Sequence, residues 1–175
     1  MQKVTIGMLM LLVSAALAVP AFAQKNPRGT SQITLNGKTV SVEYGRPSLK
    51  GRTTDELLGR LKAGGVWRLG ADTSTTFKTG IDLAFADVTI PAGEYSIWMQ
   101  RQDDNSWKLL FDKQHGQWGE PAADPAQCFA SVPLKESKPA TPAEMVTITL
   151  AKAGKGGTIT IEWGTLKAAT NFKAK

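Results

Sequence analysis

The stretch ITLNGKTVSVEY, residues 33–44, decides the fold because apolar and polar side chains alternate on either side of Asn36-Gly37. Alternation with a period of two places successive side chains on opposite faces of a strand. Asn-Gly suits a two-residue type I′ turn, since both central residues of that turn need a positive φ. The stretch therefore predicts an antiparallel hairpin.

The same alternation recurs along most of the chain that follows. Further strands are predicted at residues 76–79, 86–90, 95–99 and 107–111, in a segment that contains Cys128 and ends at Val132, and in a last hairpin at residues 145–150 and 158–163. Residues 133–142, rich in Pro and Lys, are predicted to be a connection. Short strands without strand-helix alternation predict a mainly all-β fold, an antiparallel β-sandwich or a partly open barrel.

One short helix is predicted between the first hairpin and the later strands. Thr53-Thr54-Asp55-Glu56 matches a capping box, in which an N-terminal Thr and a Glu three residues later satisfy each other's backbone N–H groups. The helix is expected near residues 53–61 and is closed by Gly64-Gly65. The preceding residues 45–52 contain two glycines and Pro47, and they predict a loop.

The N-terminus carries the pattern of a cleavable secretory signal. Lys3 precedes an apolar run at residues 4–19, and Ala21 and Ala23 stand two apart before Gln24. The run is shorter than the roughly 18 to 20 apolar residues that span a bilayer, so cleavage is favoured over anchoring and no membrane span is expected afterwards. The predicted organisation is a signal peptide at 1–23, a flexible segment at 24–31 and a single β-rich domain at 32–170. The expected location is periplasmic or secreted.

Charge and cysteine usage narrow the function classes. The formal net charge is +6, but the basic residues are dispersed and form no long run, so no nucleic-acid partner is expected. Cys128 is the one cysteine of the chain, which excludes an internal disulfide. Its apolar surroundings favour a small buried hydrophobe on a strand over a reactive thiol.

The sequence offers little for catalysis. His115 is the only histidine, and no H-E-x-x-H, G-x-S-x-G or P-loop pattern occurs. We therefore name no catalytic residue, no metal ligand and no cofactor. A Ser-His-carboxylate triad stays open, since its members meet only in space, but an exposed or locally bonded His115 is the preferred interpretation.

The region from Tyr44 to Thr76 is the best candidate for a binding site. It concentrates polar and aromatic side chains in glycine-rich loops and strand ends: Arg46, Lys50, Arg52, Trp67, Arg68 and Asp72. Guanidinium groups form two-pronged bonds to carboxylates or phosphates, and an indole adds an apolar face. The alternative is that these arginines anchor loops by bonding backbone carbonyls and Asp72.

Four of the five tryptophans divide into two groups by their neighbours. Trp98 and Trp163 alternate with polar residues, as core residues of a strand do. Trp67 and Trp118 stand beside glycine-rich turns, which favours exposed aromatic platforms.

Several of these motifs resemble the exported bacterial proteins of the domain-of-unknown-function family DUF2911. The resemblance lies in Tyr44-Gly45-Arg46-Pro47, Lys50-Gly51-Arg52, Val66-Trp67-Arg68-x-Gly70-Ala71, Ala92-Gly93-x-Tyr95 and the strand of Trp107. It implies a periplasmic or secreted β-rich domain without an assigned activity. The chain departs from the family pattern at Asp72, where an Asn is usual, and at Cys128 and Ser131, which replace an Asp and an Arg. These departures imply that part of any polar site shared by the family is altered here.

Three functions are compatible with the sequence. The preferred one is an exported, non-enzymatic binding or interaction module of the cell envelope, whose partner is a small anionic or carbohydrate ligand or an envelope protein. The first alternative is a hydrolase of envelope or extracellular polymers that uses carboxylates, or His115 with a serine. The second is a purely structural envelope protein.

Overall fold

The computed structural model describes residues 25–175, which form twelve strands and one short helix. In chain order they are β1 Arg28–Leu35, β2 Lys38–Gly45, α1 Thr54–Leu58, β3 Val66–Trp67, β4 Thr76–Thr79, β5 Leu83–Phe85, β6 Val88–Ile90, β7 Gly93–Arg101, β8 Trp107–Asp112, β9 Ala130–Ser137, β10 Ala143–Ala153, β11 Gly156–Gly164 and β12 Leu166–Ala174. The predicted signal peptide, residues 1–23, lies outside the described residues. No helix in the described part has the length and hydropathy needed to cross a membrane.

The strands form one antiparallel sheet in the order β1-β2-β4-β7-β8-β9-β12-β11-β10. β3 pairs with β7, while β5 pairs with both β12 and β6. The sheet curls until its end strands, β1 and β10, lie against each other, which gives a nearly closed barrel. The predicted antiparallel all-β fold with one small helix is confirmed.

Bonds from loops and side chains join the two ends of the sheet. The Leu150 N–H donates to Ser31 Oγ at 2.9 Å, across the gap between β10 and β1. Just beyond β2, the Leu49 N–H donates to the Glu144 carbonyl at 2.9 Å. The chain after β2 thus continues along β10 and brings the loop of residues 46–52 to the barrel surface.

The core is a single apolar cluster with aromatic rings at its centre. The Phe85 ring lies 5.1 Å from the Phe172 ring and 5.5 Å from the Phe111 ring, measured between centroids. Phe77 contacts Phe111 edge-on at 5.7 Å. Such tilted and edge-on contacts are the favoured arrangements of aromatic rings. Because the rings belong to β4, β5, β8 and β12, the cluster holds together strands that are distant in the chain.

Two local predictions are confirmed, namely the hairpin turn at Asn36-Gly37 and the capping box of Thr53 and Glu56. Asn36 and Gly37 have φ of 49° and 73°, as a type I′ turn requires. The capping box of α1 is present, with Thr53 N–H donating to Glu56 Oε2 at 2.7 Å and Glu56 N–H donating to Thr53 Oγ1 at 3.2 Å. The helix nevertheless ends at Leu58, shorter than the predicted range of 53–61.

The strand predictions differ from the structure mainly in the second half. β9 occupies residues 130–137, so the predicted connection at 133–142 is wrong over its first half and Cys128 precedes the strand. Pro133 is tolerated inside β9 because β12 pairs with β9 only at residues 135–137. β12 was not predicted, since its Lys, Ala and Asn residues have low strand propensity and it is stabilised by lying between β11 and β9.

Of the segment predicted to be flexible, residues 24–31, the described residues 25–31 are held by strand pairing and hydrogen bonds. β1 already begins at Arg28, and Arg28 pairs with Gly45 at the end of β2. The Asn26 backbone N–H donates to a carboxylate oxygen of Asp72 at 2.8 Å. The first described residues are therefore attached to the region that carries the predicted site.

Candidate functional site

A cleft of about 350 Å³ lies beside helix α1, and we call it the Arg–Trp cleft. Its polar and aromatic lining includes Arg52, Trp67 and Arg68, which are three of the six predicted site residues. Its apolar lining consists of Pro47, Leu57, Leu58, Leu61, Val66 and Ala71. Loops and strand ends that are separate in sequence therefore meet in one concave surface.

Two stacked indole rings line this cleft. The Trp67 and Trp163 ring centroids are 5.4 Å apart and the rings are inclined by 10°. Both residues are buried, so the predicted burial of Trp163 is confirmed and the prediction of Trp67 as an exposed platform is wrong. The Nε1–H of Trp163 has no acceptor among residues 25–175. The stacked rings therefore give the cleft a flat apolar wall, while the unpaired Nε1–H is itself buried.

The two arginines of the cleft are held differently. Arg52 donates from Nε to the Leu49 carbonyl at 2.9 Å and from Nη2 to the Ser48 carbonyl at 3.5 Å, which orients its guanidinium group. Arg68 Nη1 lies 3.6 Å from Glu120 Oε1 in a partly exposed ion pair. Exposed pairs of this kind contribute only about 0 to 1 kcal/mol, so a ligand anion can compete for Arg68.

Asp72 supports the cleft from behind. It is 5 % exposed, and its Oδ2 accepts from the backbone N–H groups of Lys25 and Asn26 at 3.0 and 2.8 Å and from Asn26 Nδ2 at 3.2 Å. Burial opposes ionisation, but these hydrogen bonds and the charge of Arg68 outweigh it and lower the pKa of Asp72. Asn26 lines the cleft, so Asp72 fixes part of its wall.

The other two predicted residues lie outside the cleft. Arg46 donates from Nε to the Val146 carbonyl at 3.2 Å and from Nη2 to Thr147 Oγ1 at 3.4 Å, which attaches the end of β2 to β10. This is the anchoring role that the sequence offered as the alternative. Lys50 is exposed, and its backbone N–H donates to Glu144 Oε1 at 2.9 Å.

A second cleft of about 360 Å³, here called the Gln–Asp cleft, was not predicted. Its lining includes three amides, three carboxylates and two indoles: Gln114, Gln117, Gln127, Asp112, Glu120, Asp124, Trp98 and Trp118. Trp98 is fully buried, as predicted, and Trp118 is half-buried. The sequence indicated only an irregular segment here, apart from the exposed platform expected at Trp118.

The hydrolase alternative has two forms, one with a pair of carboxylates in a cleft and one with His115 bonded to a serine and an acidic residue. The structure bears on the form that uses His115. His115 Nδ1 lies 3.5 Å from Glu94 Oε1, and no serine of the described residues bonds to the imidazole. The nearby Ser96 hydroxyl instead donates to the Gln114 carbonyl at 2.6 Å. In the described part of the chain, no three His, Cys, Asp or Glu side chains are placed to hold a metal ion.

Cys128 is half-buried just before β9 rather than buried on a strand, so that prediction is wrong. Burial, together with the neighbouring carboxylates of Asp112 and Asp124, raises the pKa of its thiol to about 11. A thiol with this pKa is almost entirely protonated at neutral pH and is a poor nucleophile.

The chain matches a known protein family over most of its length. The family model described as "Protein of unknown function (DUF2911)" matches residues 26–172, which include both clefts and nearly the whole barrel. Neither the curated proteins nor the solved structures contain a match to the chain.

Proposed function

Given that the chain belongs to the DUF2911 family of proteins of unknown function, we propose that it is a non-enzymatic binding module of the cell envelope. Its Arg–Trp cleft binds a small ligand that carries a carboxylate or phosphate next to an apolar or ring-shaped body. The protein reaches the periplasm or the medium after cleavage behind Ala23.

The observation that carries this proposal is the meeting of two guanidinium groups and a pair of stacked indole rings around one concave surface. Arg52 is oriented by backbone carbonyls, so little side-chain entropy is lost when it binds an anion. Arg68 has only a weak competitor in Glu120. The stacked indoles and the leucines of the cleft suit the apolar part of the ligand.

A binding role is favoured over catalysis by the chemistry of the surrounding groups. His115 is paired with Glu94 on the surface and does not line either cleft. The Cys128 thiol is protonated at neutral pH. Charge-based recognition needs neither a nucleophile nor a general base, and the cleft supplies the groups that it does need.

The ligand class is tested by a thermal-shift screen of the purified protein with benzoate, glucuronate, inorganic phosphate, glucose and magnesium chloride. A ligand that binds only the folded state raises the melting temperature. We expect a shift with at least one of the three anions, and its loss in Arg52→Gln and Arg68→Gln. Lys50→Gln is the control, because Lys50 is a nearby cation outside the cleft. No shift with any anion, or an equal shift in all variants, would refute the binding role.

Export is tested separately by expressing the full chain in a Gram-negative bacterial host. Fractionation and N-terminal sequencing are expected to give a mature protein in the periplasm or the medium that begins at Gln24. Recovery of the uncleaved chain from the cytoplasm would overturn the assigned location without affecting the binding role.

A further inference from the structure

We infer that the Arg–Trp cleft and the Gln–Asp cleft form one binding surface for an acidic oligosaccharide. The anionic sugar lies in the first cleft and an adjoining neutral sugar lies in the second. The inference rests on the proposed function, because it assigns the ligand of the Arg–Trp cleft to a chemical class and extends its site.

The two clefts are adjacent, and Glu120 lines both of them. The ion pair between Arg68 and Glu120 stands at the boundary. The segment before Glu120 packs directly on Arg68, since a Cβ added at Gly119 would lie 2.8 Å from Arg68 Cδ. The Gly119 N–H also donates to the Asp72 carbonyl at 2.8 Å, which ties the two cleft walls together. A linear ligand can therefore pass from one cleft to the other over the Arg68–Glu120 pair.

The second cleft offers the hydrogen-bonding groups that suit sugar hydroxyls. The side-chain amides of Gln114 and Gln127 have no bonding partner among the described residues. Asp112 and Asp124 each accept a backbone N–H through Oδ1, at 3.0 Å in both cases, and leave Oδ2 available. A hydroxyl both donates and accepts, and it is satisfied by amides and carboxylates side by side.

Trp118 supplies the apolar component of the second cleft. It is half-buried and lines the cleft beside these polar groups. The C–H faces of a sugar ring are apolar, so an indole combined with planar polar side chains matches both aspects of a carbohydrate. A purely apolar ligand would leave the amides and carboxylates desolvated without partners.

Charge distinguishes the two clefts and sets the order of the sugars. The first contains Arg52 and Arg68, whereas the second contains Asp112 and Asp124. A second anionic group would be repelled from the carboxylates of the Gln–Asp cleft. The matching ligand therefore carries its charge at one sugar and is neutral at the next, which excludes a uniformly charged polymer.

The test is isothermal titration calorimetry with glucuronate and with aldobiouronic and aldotriouronic acids, in which glucuronate is linked to one or two neutral sugars. We expect the affinity to rise about tenfold from glucuronate to the longer probes. Trp118→Ala and the double variant Gln114→Ala/Gln127→Ala are expected to abolish the rise and to leave glucuronate binding unchanged. Gln32→Ala, an exposed amide on β1, is the control.

The outcomes separate this inference from the proposed function. Equal affinity for all three acids, or a rise that persists in both cleft variants, overturns the inference and leaves anion binding intact. If the protein binds benzoate or phosphate but does not bind glucuronate, the inference is likewise overturned and anion binding is left intact. If no anion binds, the proposed function fails and the inference fails with it. If Trp118→Ala does not fold, the double variant Gln114→Ala/Gln127→Ala, which changes two exposed side chains, still tests the inference.

Discussion

Trp67 and Trp163 stack with their ring planes 10° apart, although they lie on β3 and β11, two strands that do not pair. The contact forms only when the sheet curls far enough to bring both strands to the same end of the barrel. Helix α1 and Arg52 then cover the pair and complete the cleft. The candidate site therefore depends on a contact between strands that are not neighbours in the sheet.

The stack is expected to stabilise the protein as well as to line the cleft. Trp67→Ala removes a buried ring, and we expect the free energy of unfolding to fall by about 3 to 5 kcal/mol. Trp67→Phe keeps an aromatic ring and is expected to lose less than half of that amount. Urea unfolding measures both. Equal stability of the alanine variant and the wild type would show that the stack contributes nothing.

Asp72 is expected to make stability depend on acid pH. Its pKa is lowered in the folded protein, so its contribution is complete above the ordinary carboxyl pKa of about 3.9 and is lost as the pH falls through the lowered value. Asp72→Asn is therefore expected to be less stable than the wild type at pH 7. In urea unfolding the difference should stay nearly constant down to about pH 4 and shrink as the pH falls from there toward about 3. A difference that stays constant or grows toward pH 3 contradicts this assignment.

Gly45, the last residue of β2, is expected to tolerate no side chain at the point where β2 continues into the loop of residues 46–52. A Cβ at this position would overlap the carbonyl oxygen of Ala71, a backbone atom that a side-chain rotation cannot move. Gly45→Ala is expected to lower the free energy of unfolding by about 3 kcal/mol or more. The matched control is Gly37→Ala, whose Cβ meets no atom within 4 Å and which has only the cost of its φ of 73°, about 1 kcal/mol. Thermal unfolding that ranks Gly37→Ala as the more damaging change would refute the prediction.

Cys128 is expected to react slowly with thiol reagents. Its pKa of about 11, against an ordinary 9.0, leaves about a hundredfold less thiolate at neutral pH. Alkylation by iodoacetamide, followed by mass spectrometry, should be correspondingly slow at pH 7.5 and accelerate up to about pH 11. Rapid labelling at pH 7.5 would show that the thiol is activated and would reopen the question of catalysis.

The sequence predicts those parts of the fold that local chemistry determines. Asn36-Gly37 sets a turn through its φ preference, and Thr53 with Glu56 caps a helix through hydrogen bonds three residues apart. β12 was missed because its stability comes from the strands on either side and not from its own residues. The prediction ends the strand at Val132 because Pro133 lacks a backbone N–H. In the sheet, β12 pairs with β9 only at residues 135–137, so Pro133 has no partner in β12 whose hydrogen bond it could break.

The candidate site is predicted to the extent that its residues are close in the chain. Arg52, Trp67 and Arg68 stand in neighbouring glycine-rich loops and were found together. Trp163 was assigned correctly to the core, but its stack on Trp67 depends on barrel closure and has no signal in the sequence. The amides of the Gln–Asp cleft were missed for a different reason, since exposed Gln residues in an irregular segment are typical of any loop.

The most direct test of the central claim is a titration of intrinsic tryptophan fluorescence with benzoate, glucuronate and phosphate. The claim is that Arg68, beside the Trp67–Trp163 stack, binds an anionic ligand. We predict a saturable change with at least one anion in the wild type and in Lys50→Gln, and affinity at least about tenfold weaker in Arg68→Gln. No saturable change with any of the three anions, or the same affinity in Arg68→Gln, would contradict the account.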